Sequence, residues 1–256
     1  MRWITEARHV LDRIEQTQLG AIEEASQIAA RAIAADGVAH VFGTGHSRIP
    51  VEELFPRYGS FPGFHPIVEL SMTFHTQVVG ANGQRQAMFI ERMPGLADVI
   101  WGNFQMRPTD CLLVFSASGR NAVPVEMAMA AKKAGMPVIA VVSLAESTAA
   151  AASHSSGTRL TDHADVVIDV CTPVGDAICQ VDGLEEPVGP ASTLANVAIV
   201  NMLKVRVAEL LVESGWTPPV ITSAQLVGPE RSEELFEAAY LEHARRSASV
   251  LRVGPA

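Results

Sequence analysis

The chain has 256 residues, 48% of them hydrophobic and 18% charged, so it is long and apolar enough to fold around a sizeable core. Its formal charge of −9 argues against a general affinity for nucleic acid or for an anionic membrane surface. An anionic ligand would have to be bound locally, by backbone N–H groups and a few placed side chains. Three cysteines without a C-x-x-C pair favour a reducing cytoplasm over a disulfide framework, and no stretch is apolar for long enough to span a membrane.

The chain opens with a helical pattern, in which apolar residues recur at intervals of three and four from residue 3 to about residue 36. Gly20 is the expected point of a break or bend in this helix, and Asp36-Gly37 is a stop signal. We therefore expect a long N-terminal helical segment that packs across the layers of the fold or into a subunit interface.

Short apolar runs rich in valine and isoleucine follow, and helical patterns separate them. The runs span residues 38–42, 111–115, 137–142 and 164–170, with 177–181 as a fifth candidate, and the later helical patterns span 123–134, 192–213 and 230–249. This alternation is typical of a parallel sheet covered by helices on both faces. It predicts a doubly wound α/β fold whose ligands bind at the carboxyl ends of the strands.

The segment 63–77 has no clear periodicity and contains His65 and His75. Ten residues separate the two histidines, so they are not the close pair that a helical metal site requires. The role that remains for these histidines is to line a ligand site, within one subunit or across a subunit interface.

A polar loop, residues 116–121 (SASGRN), follows the second apolar run and opens a helix. Backbone N–H groups at a helix N-terminus favour an anion, and serine and asparagine side chains can add donors. The simpler alternative is that one of these side chains only caps the helix. A cap needs one such residue, whereas this loop has two serines, a glycine and an asparagine, so phosphate binding is the favoured function.

A second glycine-containing loop, residues 43–48 (GTGHSR), follows the first apolar run. Its glycines allow the backbone to approach a ligand closely. The loop matches part of a dinucleotide-binding fingerprint but lacks the third glycine, and the phosphate P-loop motif is absent from the chain. Nucleotide binding is therefore disfavoured.

Together the two loops resemble those of the sugar isomerase (SIS) domain family. The resemblance rests on FGTGHSR, on VFSASGRNAVPVEMAMAAKKAGMPVIAVVS and on a later helix that begins GPASTLANVAIVNML, and it covers most of residues 38–210. Within that family the chain looks closest to stand-alone bacterial SIS proteins with a G-x-G-H-S loop. It is similar, more distantly, to phosphoheptose isomerases.

The resemblance implies a flavodoxin-like, three-layer αβα sandwich with a five-stranded parallel sheet that binds phosphosugars. In the family the serine-rich loop holds the phosphate and the first loop lies along the sugar. The phosphosugar-binding residues implied here are Gly43, Thr44, Gly45, Ser47, Arg48, Ser116, Ser118, Gly119, Arg120, Asn121 and Ser192. Ser192 is equally a natural N-cap for the helix that follows it, and Arg120 either suits an anionic substrate or lies only on the surface.

Glu52 and Glu53 follow the first loop on a predicted helix, where adjacent residues point about 100° apart and only one can face a cleft. Phosphoheptose isomerases carry a catalytic glutamate in a similar E-E-L context, which implies Glu53, before Glu52, as the base. The alternative is a solvated helix face on which Glu53 pairs with Arg57. His46, where a strand ends, is the candidate to assist at the ring oxygen or a hydroxyl of the sugar.

The favoured function is a phosphosugar isomerase, or a related lyase or deglycase, that abstracts a proton next to a carbonyl group. The alternative is a sugar-phosphate sensor or regulatory protein without catalysis. No cofactor, metal, nucleic acid or membrane is expected as a partner. A homodimer or homotetramer is expected, because family sites are often completed by a neighbouring subunit. We predict one SIS domain, with a helical segment (1–36), an αβα core (37–215) and a C-terminal extension (216–256).

Overall fold

The computed structural model describes residues 1–73 and 83–251. Its centre is a parallel sheet whose five strands are β1 (Ala39–Gly43), β2 (Phe64–Ile67), β3 (Cys111–Phe115), β4 (Val138–Val142) and β5 (Val166–Asp169). The strand order is β2-β1-β3-β4-β5, the order of a flavodoxin-like sheet. Strands β1, β3 and β4 are buried along their whole length, which is why they are continuous apolar runs. The predicted αβα fold is confirmed.

Helices cover both faces of this sheet. They are α1 (Arg2–Thr17), α2 (Leu19–Ala34), α3 (Ile49–Leu54), α4 (Leu70–Thr73), α5 (Gly83–Ile90), α6 (Leu96–Trp101), α7 (Ala122–Lys133), α8 (Leu144–Thr148), α9 (Ser192–Glu213), α10 (Ala224–Val227) and α11 (Pro229–Val250). Short 3-10 turns lie at Gly45–Arg48 and Leu160–His163. Within the described ranges, no helix is long and apolar enough to cross a lipid bilayer.

The core is divided by the sheet into two apolar layers. Leu113 and Phe115 of β3 pack on the side of α1, α2, α3 and α9. Leu112 and Val114, which alternate with them, pack on the side of α4, α6 and α7. This alternation follows from the two-residue period of a strand, so each strand contributes side chains to both layers.

One helix break and one strand differ from the sequence prediction. The break between α1 and α2 falls at Gln18 and not at Gly20, which lies inside α2. The side-chain oxygen of Gln18 accepts a hydrogen bond from the Asp169 backbone at 2.9 Å, so this break is fixed by a contact with β5. Strand β2 was not predicted because Pro66 interrupts it, and proline is tolerated here because β2 is an edge strand.

The run at 177–181 is not part of the parallel sheet, so that expectation was wrong. Its residues form β6 (Ala177–Cys179), which pairs antiparallel with β7 (Val188–Pro190) in a separate two-stranded ribbon. This ribbon leads directly into α9, so it positions the start of that helix.

Helix α11 is attached to the junction between α2 and β1 by a buried arginine. Arg246 is only 4% exposed, and its Nη1 atom donates to the carbonyl oxygens of Ile33 at 3.0 Å and Gly37 at 2.5 Å. Its guanidinium also lies 5.2 Å from the ring centroid of Trp216, within the range of a cation–π contact. Arg246 therefore supplies donors to a carbonyl of the last turn of α2 and to one in the turn that leads into β1.

Candidate functional site

A cavity of about 600 Å³ opens at the carboxyl edge of the parallel sheet, which is a normal size for a small-molecule site. Thr44, Ser116 and Ser143, which directly follow β1, β3 and β4, all line it. The carboxyl ends of parallel strands meet at one edge, and this is where ligands bind in open α/β sheets. The predicted residues that line the cavity are Thr44, Gly45, His46, Ser47, Ser116, Ser118, Asn121 and Ser192.

The first loop enters the cavity through a 3-10 turn directly after β1. Gly43 does not line the cavity, but a Cβ atom at this position would lie 2.2 Å from the Ser47 carbonyl oxygen. Only glycine lets the strand and the turn approach so closely, so Gly43 has a structural reason to be there. Arg48 also lies outside the lining and forms an ion pair with Glu52.

The serine loop is held by its own side chains as well as by the start of α7. Ser116 Oγ accepts a hydrogen bond from the Gly119 backbone at 3.1 Å. Gly119 has φ of 58°, in the left-handed region that favours glycine, and it supports the loop from outside the cavity lining. Asn121 is the N-cap residue of α7, but its side chain makes no capping bond and is directed to a glutamate instead.

That glutamate is Glu91, which follows α5 and was not predicted as a site residue. Its carboxylate accepts hydrogen bonds from Thr44 Oγ1 and Asn121 Nδ2, each at 2.7 Å. Burial raises the pKa of Glu91, while the Thr44 hydroxyl and the charge of Arg92 act in the opposite direction. Glu91 lines the cavity, so a carboxylate with a raised pKa stands between the first loop and the serine loop.

The two glutamates proposed from the sequence lie outside the cavity lining. Glu53 faces α9, where Lys204 Nζ donates to its carbonyl oxygen at 2.9 Å and lies 3.5 Å from its carboxylate. Burial alone would raise the pKa of Glu53, but Lys204, Arg57 and Asn201 together hold that pKa below its usual value. Glu52 is half exposed and pairs with Arg48. Both glutamates therefore lie on a helix face where they form ion pairs, which is the alternative to a catalytic role.

Ser192 lines the cavity but its hydroxyl already has a partner. It donates to Asp176 Oδ2 at 2.6 Å, and its backbone N–H donates to Asp176 Oδ1 at 2.7 Å. The N-cap residue of α9 is Ala191, not Ser192, and the carboxylate of Asp176 supplies the acceptor that a capping side chain would normally provide. Asp176 adopts φ of 67°, which aspartate tolerates better than most residues.

The charged side chains that line the described part of the cavity are acidic, apart from His46, and include no lysine or arginine. The acidic residues are Glu91, Glu146 and Asp176. Glu146 accepts a hydrogen bond from the Gly175 backbone at 2.9 Å and lies 3.5 Å from Arg120 Nη2. Arg120 itself does not line this cavity, so its positive charge affects the cavity only through its ion pair with Glu146.

His65 lies away from the cavity, near the amino-terminal ends of the strands. His40 Nδ1 and His65 Nδ1 are 3.0 Å apart, and His40 Nε2 lies 3.4 Å from Asp110 Oδ2. Burial, with the charges of His40 and His243, lowers the pKa of His65 to about 3. We call His40, His65 and Asp110 the buried histidine cluster. His75 lies outside the described residues.

Sequence reasoning missed part of this site. Ser143 follows β4 by the same rule that located the first two loops, so the end of the third apolar run was an available signal. Glu91 and Asp176 gave no such signal, since neither follows a strand of the parallel sheet. In the described part of the chain, no group of three or more His, Cys, Asp or Glu residues is arranged to hold a metal ion.

The sheet order defines an αβα protein with flavodoxin-like topology, and its cavity lies at the carboxyl edge of the sheet. A family model described as the SIS domain matches residues 2–143, more than half of the chain. The UPF0309 protein of Thermoanaerobacter pseudethanolicus is 33% identical over 234 residues, covering 90% of this chain and 92% of the relative. The UPF0309 protein of Streptomyces coelicolor is 32% identical over 229 residues and covers 89% of each chain. The chain belongs to the SIS domain family.

Solved structures with similar folds include two phosphoheptose isomerases. The enzyme from Francisella tularensis has a TM-score of 0.52 at 15% identity, and the match covers 81% of this chain and 95% of that one. The enzyme from Neisseria gonorrhoeae has a TM-score of 0.51 at 14% identity, with 80% and 95% covered. These similarities show that the fold is that of the sugar isomerase domains.

Proposed function

We propose that this protein is a phosphosugar isomerase, or a closely related lyase, that uses Glu91 as its acid–base group. The observation that carries the proposal is the partly buried carboxylate of Glu91 in a cavity formed by the two loops. A base with a raised pKa is suited to proton transfer near neutral pH. Family membership and the fold support a sugar phosphate as the ligand.

The phosphate is proposed to bind at the serine loop. Ser116 and Ser118 provide hydroxyl groups there, and the amino end of α7, a helix of 12 residues, contributes a partial positive charge. Because no lysine or arginine lines the described cavity, these neutral donors carry the binding. This agrees with a chain whose overall charge is negative.

Glu91 is proposed to move the proton, in place of Glu53. The carbon–hydrogen bond next to the sugar carbonyl breaks, Glu91 takes the proton, and the electron pair is delocalised into an enediolate. Glu91 then returns the proton to the neighbouring, former carbonyl carbon, and the hydroxyl proton of the first carbon passes to the former carbonyl oxygen, which completes an aldose–ketose isomerisation. A lyase would share the first step and then expel a substituent with that electron pair. His46, which lines the cavity, is proposed to assist at the ring oxygen or a hydroxyl.

A non-catalytic sugar-phosphate sensor is the second candidate, and one observation favours it. Both carboxylate oxygens of Glu91 are occupied by Thr44 and Asn121, so this side chain would also serve as a purely structural link between the two loops. The two candidates differ in one measurable property, which is whether a bound sugar exchanges a carbon-bound proton.

The deciding experiment screens pentose, hexose and heptose monophosphates by thermal shift and tests each binder for solvent deuterium incorporation next to the carbonyl. We expect at least one binder with exchange. Ser118→Ala should weaken its binding by about tenfold, in line with one hydrogen bond to a charged group. Ala117→Ser is the matched control and should have a smaller effect.

The outcomes separate the candidates. Binding without exchange contradicts the isomerase and leaves the sensor. Equal effects of Ser118→Ala and Ala117→Ser contradict the phosphate site, because the loop would then be only a helix cap. A chain that no monophosphate stabilises contradicts both candidates.

We further propose that the protein is a homo-oligomer. Helix α1 does not support this as expected, because its buried residues Ala7, Val10 and Ile14 pack inside the protomer. The support comes from α9, whose outer face exposes Val205 and Val212.

A further inference from the structure

A second cavity, of about 420 Å³, lies beside the first and shares Asn121 with it. It is enclosed by the turn after α5, the end of the serine loop and the segment at 153–155. Its polar and charged lining residues are Arg92, Arg120, Asn121, Ser153, His154 and Ser155. In contrast to the first cavity, the lining includes two arginines and no aspartate or glutamate among the described residues.

The two arginines hold donors that protein groups leave free. The guanidinium of Arg92 makes no hydrogen bond or ion pair with any described residue, and its side chain is exposed. Arg120 is largely buried, and its Nε atom is buried with no hydrogen-bond partner in the described chain. This Nε atom is closed to solvent, so a ligand can supply its acceptor only if the Arg120 side chain or the cavity wall shifts on binding.

The neighbouring acidic groups contact residues of this lining and also have partners outside it. Glu146 lies 3.5 Å from Arg120 Nη2 but also accepts from the Gly175 backbone and lines the other cavity. Glu126 accepts from the Gly95 backbone at 2.9 Å and contacts His154 Nε2 at 3.2 Å. These contacts fix the walls of the cavity, and they leave the guanidinium of Arg92 to contact a ligand directly.

We propose that this second cavity is a subsite for a second anionic group on the ligand of the first cavity. The proposal rests on the proposed function, because Asn121 connects the subsite to the cavity where the phosphate is placed. It defines the substrate class as a sugar phosphate with a further negative group, either a second phosphate or a carboxylate. Arg92 and Arg120 would hold that group through charge-assisted hydrogen bonds.

The first test compares ligands that differ in this one group. Dissociation constants are measured by calorimetry for glucose 6-phosphate, glucose 1,6-bisphosphate and 6-phosphogluconate, and then for pentose pairs of the same kind. We expect at least one ligand with two anionic groups to bind ten times more tightly than its monophosphate. Arg92→Gln should remove most of that difference, and Arg231→Gln, an exposed arginine on α11, should not change it. The bisphosphate and carboxylate arms show which anionic group is preferred.

The second test uses inorganic phosphate at constant ionic strength and does not depend on any sugar. In the Ser118→Ala protein, phosphate should still raise the melting temperature, and adding Arg92→Gln should abolish that rise while adding Arg231→Gln keeps it. If the proposed function fails, sugar binding will not depend on Ser118, but this phosphate effect will still depend on Arg92. The proposal is overturned if Arg92→Gln behaves like Arg231→Gln here, or if no ligand with two anionic groups binds more tightly than its monophosphate.

Discussion

The carboxyl group of Glu91 combines two properties that usually oppose each other. Two donated hydrogen bonds stabilise its charged form, yet burial raises its pKa. The balance leaves a base that binds a proton more readily than an exposed carboxylate does. The same two hydrogen bonds fix its position relative to both loops, which a proton-transfer group requires.

Glu91→Gln is expected to lower the rate of deuterium exchange by roughly a hundredfold to ten-thousandfold, because this is the usual contribution of a general base. Sugar-phosphate binding should persist. In the wild-type protein the exchange rate should fall as pH decreases through the raised pKa of Glu91, since the protonated carboxyl cannot accept a proton. The residual deuterium exchange of the Glu91→Gln protein should not show this decrease at acidic pH.

The control for this prediction is Glu234→Gln, an exposed residue on α11. The opposing hypothesis is tested by Glu53→Gln, which should reduce stability through the loss of its contact with Lys204 but should retain exchange. Exchange that survives in Glu91→Gln and disappears in Glu53→Gln would return the catalytic role to the glutamate suggested by the sequence.

At the scale of secondary structure, the buried strands and the edge strand β5 were predictable, and the edge strand β2 was not. Strand β3 was placed at its observed bounds, because a strand with both faces covered is a continuous apolar run. Strand β2 was missed, since an edge strand can contain a proline and a histidine. The two loops were found because they follow predictable strands. Glu91 was not found, because it follows a short helix that is about thirty residues from Asn121 in the sequence. Hydrogen bonds such as that from Asn121 connect it to the site.

Helix α9 is apolar on its inner and its outer face. Inward, Ile199, Leu203 and Val207 are part of the core. Outward, Val205 is 62% exposed beside a shallow depression formed with Ala198 and Met202. Ion pairs of Arg206 with Glu23 and Glu209 lie at the margin of this surface. An apolar centre with a charged margin is the usual composition of a subunit interface.

Val205→Lys is expected to weaken self-association by at least about tenfold, because it places like charges against each other in a symmetric interface. The measurement is molar mass by light scattering over a dilution series. Leu226→Lys, which changes a more exposed residue on α10, is the control and should leave the mass unchanged. A wild-type protein that is monomeric at all concentrations would refute the proposed oligomer.

For the molecule as a whole, the buried histidine cluster should govern stability in acid. The pKa of His65 is about 3 in the folded chain, below the ordinary value of 6.5. The unfolded chain therefore binds more protons between these values, and the free energy of unfolding falls as pH decreases through this window. Asp110 also lowers the free energy of unfolding as pH decreases, at lower pH than His65 does. The reason is that its contacts with His40, Val38 and Arg107 outweigh burial and hold its pKa at about 2.

His65→Phe should flatten the pH dependence of the free energy of unfolding between pH 6.5 and pH 3, whatever its effect on stability at neutral pH. The contribution removed is at most about 1.4 kcal/mol per pH unit, the value for one proton. Urea unfolding at a series of pH values measures it. His9→Phe, at an exposed histidine, should keep the wild-type slope. An unchanged slope in His65→Phe would show that other groups set the acid limit.

Arg246, which joins α11 to the start of the sheet, also determines when the hydrogen bonds at the entry into β1 can form during folding. Arg246 follows its acceptors at Ile33 and Gly37 by 213 and 209 residues. On the ribosome, these two carbonyls are synthesised long before their donor exists, so the entry into β1 cannot reach its final hydrogen bonding while the sheet is being translated. Completion of the first strand's surroundings is therefore a late step that follows synthesis of all five strands of the sheet, in contrast to domains that fold from the amino end as they emerge.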